Sequence, residues 1–80
     1  MKTKEEEKLL RAMGERIRQL RKESGFSSQD KFAYDSGIPR AQYARYETGI
    51  NITLLSLNKI LKFHKISLEE FFSKGFPKLK

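Results

Sequence analysis

Residues 28–49, SQDKFAYDSGIPRAQYARYETG, contain two short helical patterns separated by Gly37–Ile38–Pro39. A glycine followed two residues later by a proline leaves the backbone one economical path. The first helix ends on a glycine that accepts a positive φ, and the proline opens the next helix where its missing N–H costs nothing. Upstream, Ser27 or Ser28 offers an oxygen to an unpaired amide, so the first helix begins near Gln29, with Asp30 at its positive end. Phe32 and Ala33 face inward, and Ala33 is small where a second helix has to cross closely.

At about 100° per residue, Tyr43 and Tyr46 fall on one side of the second helix together with Pro39, and that side is expected to be buried. Arg40, Ala41, Ala44 and Arg45 fall on the opposite side. Two guanidinium groups separated by methyl-sized residues let a helix approach a partner closely while their forks extend to base edges or phosphates. Nothing acidic stands between Asp35 and Glu47 to repel a polyanion. An arginine pair of this kind also serves many helices as a plain solvated face, and the small residues between the two favour the closer contact.

Composition narrows the function classes. The 80 residues make one small domain, and 17 Lys plus Arg against 10 acids give a net charge of +7, which suits a polyanionic partner. A chain of this size buries roughly 60–65% of its unfolded surface, so a dimer contact or bound DNA would add stability by linkage. There is no cysteine and one histidine, so neither a thiolate or multi-histidine metal site nor a nucleophile–histidine–acid set is available. With no glycine-rich phosphate loop either, an enzyme is not expected, nor is a cofactor or a bound metal. No apolar run approaches the roughly 18 residues of a membrane span, and a cytoplasmic protein is expected.

The flanking segments are helical too. Residues 1–24 read as one long or interrupted helix with Glu5, Glu6 and Glu7 early and Arg18, Arg21 and Lys22 late, as the helix dipole favours. Leu10, Met13, Ile17 and Leu20 form its apolar stripe, and Gly14 in the middle costs about 1 kcal/mol relative to Ala. Gly25 ends it and Phe26 turns back into the core. Asn51 or Thr53 caps a fourth helix whose inner stripe is Leu54, Leu57, Ile60, Leu61 and His64, with Lys59 and Lys62 outside. His64 reads as a half-buried side chain with one ring nitrogen bonded. Ser67 and Glu70 form a capping box for a short fifth helix bearing Leu68, Phe71 and Phe72, which Gly75 and Pro77 end. With Phe76 and Leu79 this end carries more apolar bulk than so short a helix needs for itself.

The pattern Gln29, Phe32–Ala33, Gly37–Ile38, Tyr43, Tyr46–Glu47, Thr48–Gly49 resembles the helix-turn-helix of the phage-repressor and Cro family, also called the XRE family. The likeness runs from roughly Met13 to Phe72. It implies an all-α, five-helix lambda-repressor-like DNA-binding domain at 13–74, with the motif at 28–49, a helical extension at 1–12 and a short tail at 75–80. This sequence carries one extra loop residue before Gln29, and the neutral Ile50–Asn51–Ile52 where many members carry Lys, Arg or Pro.

The resemblance further implies that the second helix of the motif enters the major groove of double-stranded DNA, with Arg40, Ala41 and Arg45 facing bases and Gln42 at the edge of the footprint. Ser28 and Gln29 would hold phosphates, Gln29 also bracing Arg40, and Asn51 and Thr53 would add contacts from the loop. Arg21 and Glu47 would form a structural pair. Phe71, Phe72 and Phe76 are candidates for a homodimer contact. The expected function is a sequence-specific transcriptional regulator, a repressor acting as a dimer. The alternative is an antitoxin-type module that binds a toxin or co-regulator as well as its own promoter.

Overall fold

The computed structural model describes residues 2–76, which form five helices: α1 Lys4–Glu23, α2 Gln29–Ser36, α3 Arg40–Thr48, α4 Leu54–His64 and α5 Leu68–Phe72. None of them is long and apolar enough to cross a membrane. Four of the five starts carry a side-chain cap, and α3 alone opens without one, after Pro39. Thr3 and Glu6 cap α1 reciprocally, Ser28 accepts from the Lys31 amide, Thr53 accepts from the Ser56 amide, and Ser67 and Glu70 complete the box that opens α5. Ser28, not Ser27, is therefore the cap of α2, and Thr53, not Asn51, that of α4.

The ends are set mostly by glycine. Gly37 closes α2 at φ +77° and Gly49 closes α3 at φ +96°. Pro39 precedes the first helical residue of α3 and is exposed, so it does not share the buried side of Tyr43 and Tyr46. Ile38, 6% exposed, fills that place, because the chain leaves Gly37 heading into the core and turns outward only at the proline.

α1 is continuous through Gly14 and through the boundary expected at residues 12–13. Gly14 serves a tertiary purpose. A Cβ there would lie 2.6 Å from the Glu47 carbonyl oxygen and 2.8 Å from the Gly49 nitrogen. Reciprocally, a Cβ on Gly49 would lie 2.8 Å from the Leu10 carbonyl oxygen. The two backbones touch with no side chain between them, and α1 and α3 are the most extensively packed pair of helices.

Ile17, Phe32, Tyr43, Leu57, Ile60, Leu61 and Phe71 are fully enclosed and tie all five helices to one core. Phe26 meets Phe32 edge-on at 5.3 Å, as expected for a residue turning inward after α1. Two expectations fail here. Leu54 is 64% exposed, since Ile50 and Ile52 of the preceding loop are the apolar residues packed on the core at that end. Phe71, expected at a dimer contact with Phe72 and Phe76, is wholly buried beneath α1, where its ring packs against both. Phe72 is 44% exposed and Phe76 half-buried, whereas Pro77 and Leu79 lie outside the described residues.

His64 stacks on Phe32 with ring centroids 5.0 Å apart, and its Nδ1 bonds the Ser24 hydroxyl at 2.8 Å. Nε2 is enclosed without a partner. Burial lowers the pKa, since a proton on Nε2 would have to be desolvated. The neutral ring is thus favoured by folding. Its contribution is present above the unfolded value near 6.5 and is lost as pH falls through the lower folded value. Urea midpoints taken from pH 7 to pH 5 are expected to decline for the natural protein and to decline less for His64→Leu; equal slopes would contradict this account.

Candidate nucleic-acid interface

One side of α3 is sunk in the core. Tyr43 is fully enclosed and packs on Phe32 at 4.7 Å, Tyr46 is 6% exposed, and Glu47 is 9% exposed. The opposite side is left free. Arg40, Ala41, Gln42 and Arg45 are all exposed, with Ala44 half-buried between them. Arg45 has no acidic partner within ion-pair distance among the described residues. Gln42 donates from Nε2 to the Tyr46 hydroxyl, which ties this exposed side chain to the buried side of the helix. Ala41, Gln42 and Arg45 share an open groove with Asn51, Thr53 and Ser56. Three of the four candidate base-facing residues therefore share one open surface with the loop, and Arg40 lies outside that groove.

A buried ion pair fixes the far end of α3. Arg21 Nε donates to Glu47 Oε2 at 2.7 Å and Nη2 to Oε1 at 3.2 Å, a two-pronged contact, while Nη1 donates to the Phe26 carbonyl at 2.8 Å. Burial alone would push the Glu47 carboxyl up, but the bonds it accepts and the charge of Arg21 outweigh this and hold it below the usual carboxylate range. The bond to Glu47 in turn raises Arg21. Burial pushes the Tyr43 phenol well above its ordinary value, and the carboxylate beside it adds to the rise. The Tyr43 hydroxyl completes no hydrogen bond of its own.

Gln29 departs from expectation. Its Nε2 donates to Glu47 Oε1 at 2.8 Å, so it braces the ion pair and not Arg40. Asp30 takes over the second task, accepting from Arg40 Nε at 2.5 Å. The exchange follows from how the starts of α2 and α3 face each other: Gln29, half-buried, turns toward the core end of α3, and Asp30, exposed, toward its amino end. Ser28 is exposed and keeps its hydroxyl proton free while capping α2. Thr53 caps α4 and also bonds Ser56 Oγ at 2.9 Å, and Asn51 is exposed.

Arg16 escaped the sequence reading. It is 4% exposed, and its guanidinium donates to the carbonyls of Phe71 at 2.9 Å and Glu70 at 3.2 Å and to Gln19 Oε1 at 3.0 Å, while lying 5.7 Å from the Phe71 ring centroid. It thereby satisfies the Phe71 carbonyl at the end of α5 and adds to the bonds that the Ser73 amide and hydroxyl already make to that of Glu70. The signal was present: Arg16 sits three residues after Met13 and four before Leu20, on the buried stripe itself.

A five-helix arrangement with a glycine-hinged α2–α3 pair and a free, basic α3 face is the geometry of a helix-turn-helix reader. The helix-turn-helix family profile matches residues 17–71. Control protein C.MunI from Mycoplasma sp is 38% identical over 61 residues, covering 75% of this chain and 82% of that relative. No solved structure matches the chain. The protein belongs to the XRE-type helix-turn-helix family, DNA-binding regulators of transcription with a lambda-repressor-like fold.

Proposed function

We propose that the protein is a sequence-specific repressor that grips an inverted repeat as a homodimer, with α3 in the major groove. The observation that carries this reading is the division of α3: both tyrosines and Glu47 are anchored inside while Arg40, Ala41, Gln42 and Arg45 are exposed. Arginine forks match guanine O6 and N7, and the alanines between them bring the helix axis close enough to touch a thymine methyl. Ser28, with its free hydroxyl proton, and Gln29, with its second amide proton, would hold a phosphate at the amino end of α2, where the helix dipole assists. Asn51 would hold another from across the groove, joined by Thr53 once its hydroxyl proton turns from Ser56 Oγ to the phosphate.

Pairing is supported by the apolar surface left on α5, where Leu68 is 39% and Phe72 44% exposed. A twofold dimer would set half-sites about 34 Å apart. A repressor role is the simplest consequence of covering a promoter with such a dimer, and the likeness to a relative named a control protein supports a regulatory one.

Selection of bound sites from random duplexes tests the reading. An inverted repeat with at least one guanine per half-site is expected. Arg45→Ala should lose roughly 1–3 kcal/mol of preference at one base position, with smaller change on a scrambled duplex. Selection that returns no common sequence, or an Arg45→Ala loss equal on all duplexes, would remove it.

A further inference from the structure

We infer that Asp30 is a positioning residue for sequence reading: its carboxylate holds the Arg40 guanidinium by Nε and leaves the two terminal amino groups aimed outward as a fixed fork. This rests on the proposal that the free face of α3 meets base edges.

Several features set this pair apart from the other surface ion pairs. The Lys31–Asp35 and Arg18–Glu15 pairs are longer, at 3.4 and 3.9 Å, and each lies within one helix. Asp30 and Arg40 instead join the first turns of two successive helices at 2.5 Å. Their side chains are 62% and 75% exposed, so the contact contributes little to folding. A carboxylate on a face turned toward a polyanion also weakens attraction to every duplex alike. A contact with negligible value for stability and a general penalty for binding has a use only if it improves discrimination.

The geometry supplies that use. Arginine has five N–H donors in one plane, and guanine O6 and N7 accept two of them side by side. Arg40 spends its lateral donor, Nε, on Asp30 Oδ1. The end-on fork of the terminal amino groups remains, and its orientation is set before any duplex arrives, which lowers the ordering cost of the contact. Asp30 itself is held at the positive end of α2, whose first turn favours its charge. An unguided Arg40 would be free to swing to the nearest phosphate, a contact that carries no sequence information.

The test uses the full chain and the duplex it selects from a random pool, together with duplexes in which each half-site guanine is replaced in turn by adenine and one scrambled duplex, all at one salt concentration. Affinities are measured for the natural protein, Asp30→Asn, Arg40→Ala and the double variant, with thermal midpoints confirming that each is folded. Arg40→Ala is expected to lose about tenfold discrimination at one guanine. Asp30→Asn should lose most of the discrimination at that same guanine, bind the scrambled duplex a few-fold tighter, and have no further effect on discrimination in the Arg40→Ala background. Full discrimination retained in Asp30→Asn while Arg40→Ala loses it would overturn the inference and leave the proposed function standing. Losses from Asp30→Asn spread evenly over all guanines, or persisting without Arg40, would overturn it in favour of a general structural role. If Arg40→Ala and Arg45→Ala both keep the natural protein's full discrimination at every guanine, the base-reading proposal itself falls.

Discussion

Arg21→Met and Glu47→Leu, made singly, are each expected to cost about 3–5 kcal/mol of folding stability, because each strands a desolvated charge. The side chains of both partners are almost entirely buried, at 5% and 3% exposure, so solvent screening offers no relief. The double variant should be more stable than either single one, since it removes both charges together. It would still lack the bond from Arg21 to the Phe26 carbonyl, a deficit of roughly 1 kcal/mol. Urea unfolding followed by circular dichroism reads all three, and strictly additive losses would contradict a coupled buried pair. If a single variant is too unstable to measure, Arg21→Lys provides the intermediate case: it keeps the charge and forfeits the planar fork. The same pair sets acid stability. Glu47 is held below its ordinary value, so its contribution is complete above the unfolded carboxylate pKa of about 4.3 and disappears as pH falls through the folded value. Acid loss should therefore come in two stages, His64 first and Glu47 at lower pH.

Gly14→Ala is expected to destabilise the domain by roughly 1–3 kcal/mol, although helix propensity alone assigns alanine a gain of about 1 kcal/mol at that position. The added methyl would meet the backbone of Glu47 and Gly49, not the tip of a side chain that can swing aside. The two helices must then separate, and the layer around Ile17 and Tyr43 opens with them. For a domain of this size the thermal midpoint should fall by about 4–8 °C per kcal/mol. A midpoint at or above that of the natural protein would mean that the crossing is looser than its geometry indicates.

Much of the fold was legible because local chemistry and tertiary packing agree along most of the chain. The Gly37–Pro39 hinge, the Ser67–Glu70 box and the inward tyrosines of α3 follow from spacing and turn chemistry alone, and the structure has all three. Several of the failures depend on how helices cross. Gly14 looks like a local cost until Glu47 and Gly49 are brought against it. Gln29 and Asp30 are adjacent in sequence, and which of them meets Arg40 is decided by the angle between α2 and α3. Arg16 is charged yet its spacing puts it on the buried stripe, and nothing in the sequence reveals that Arg16 of α1 closes over Phe71.

The bare contact between α1 and the end of α3 bears on the duplex as well as on the protein. Packed side chains can shuffle rotamers to absorb a misfit of an ångström, but two main chains in contact at Gly14 and Gly49 have nothing to shuffle. A groove that is slightly too narrow or wrongly curved cannot be met by rocking α3 on its support. With α3 docked as proposed, the bending falls to the nucleic acid, and base steps that deform easily are expected to be preferred even at positions where no side chain reaches them.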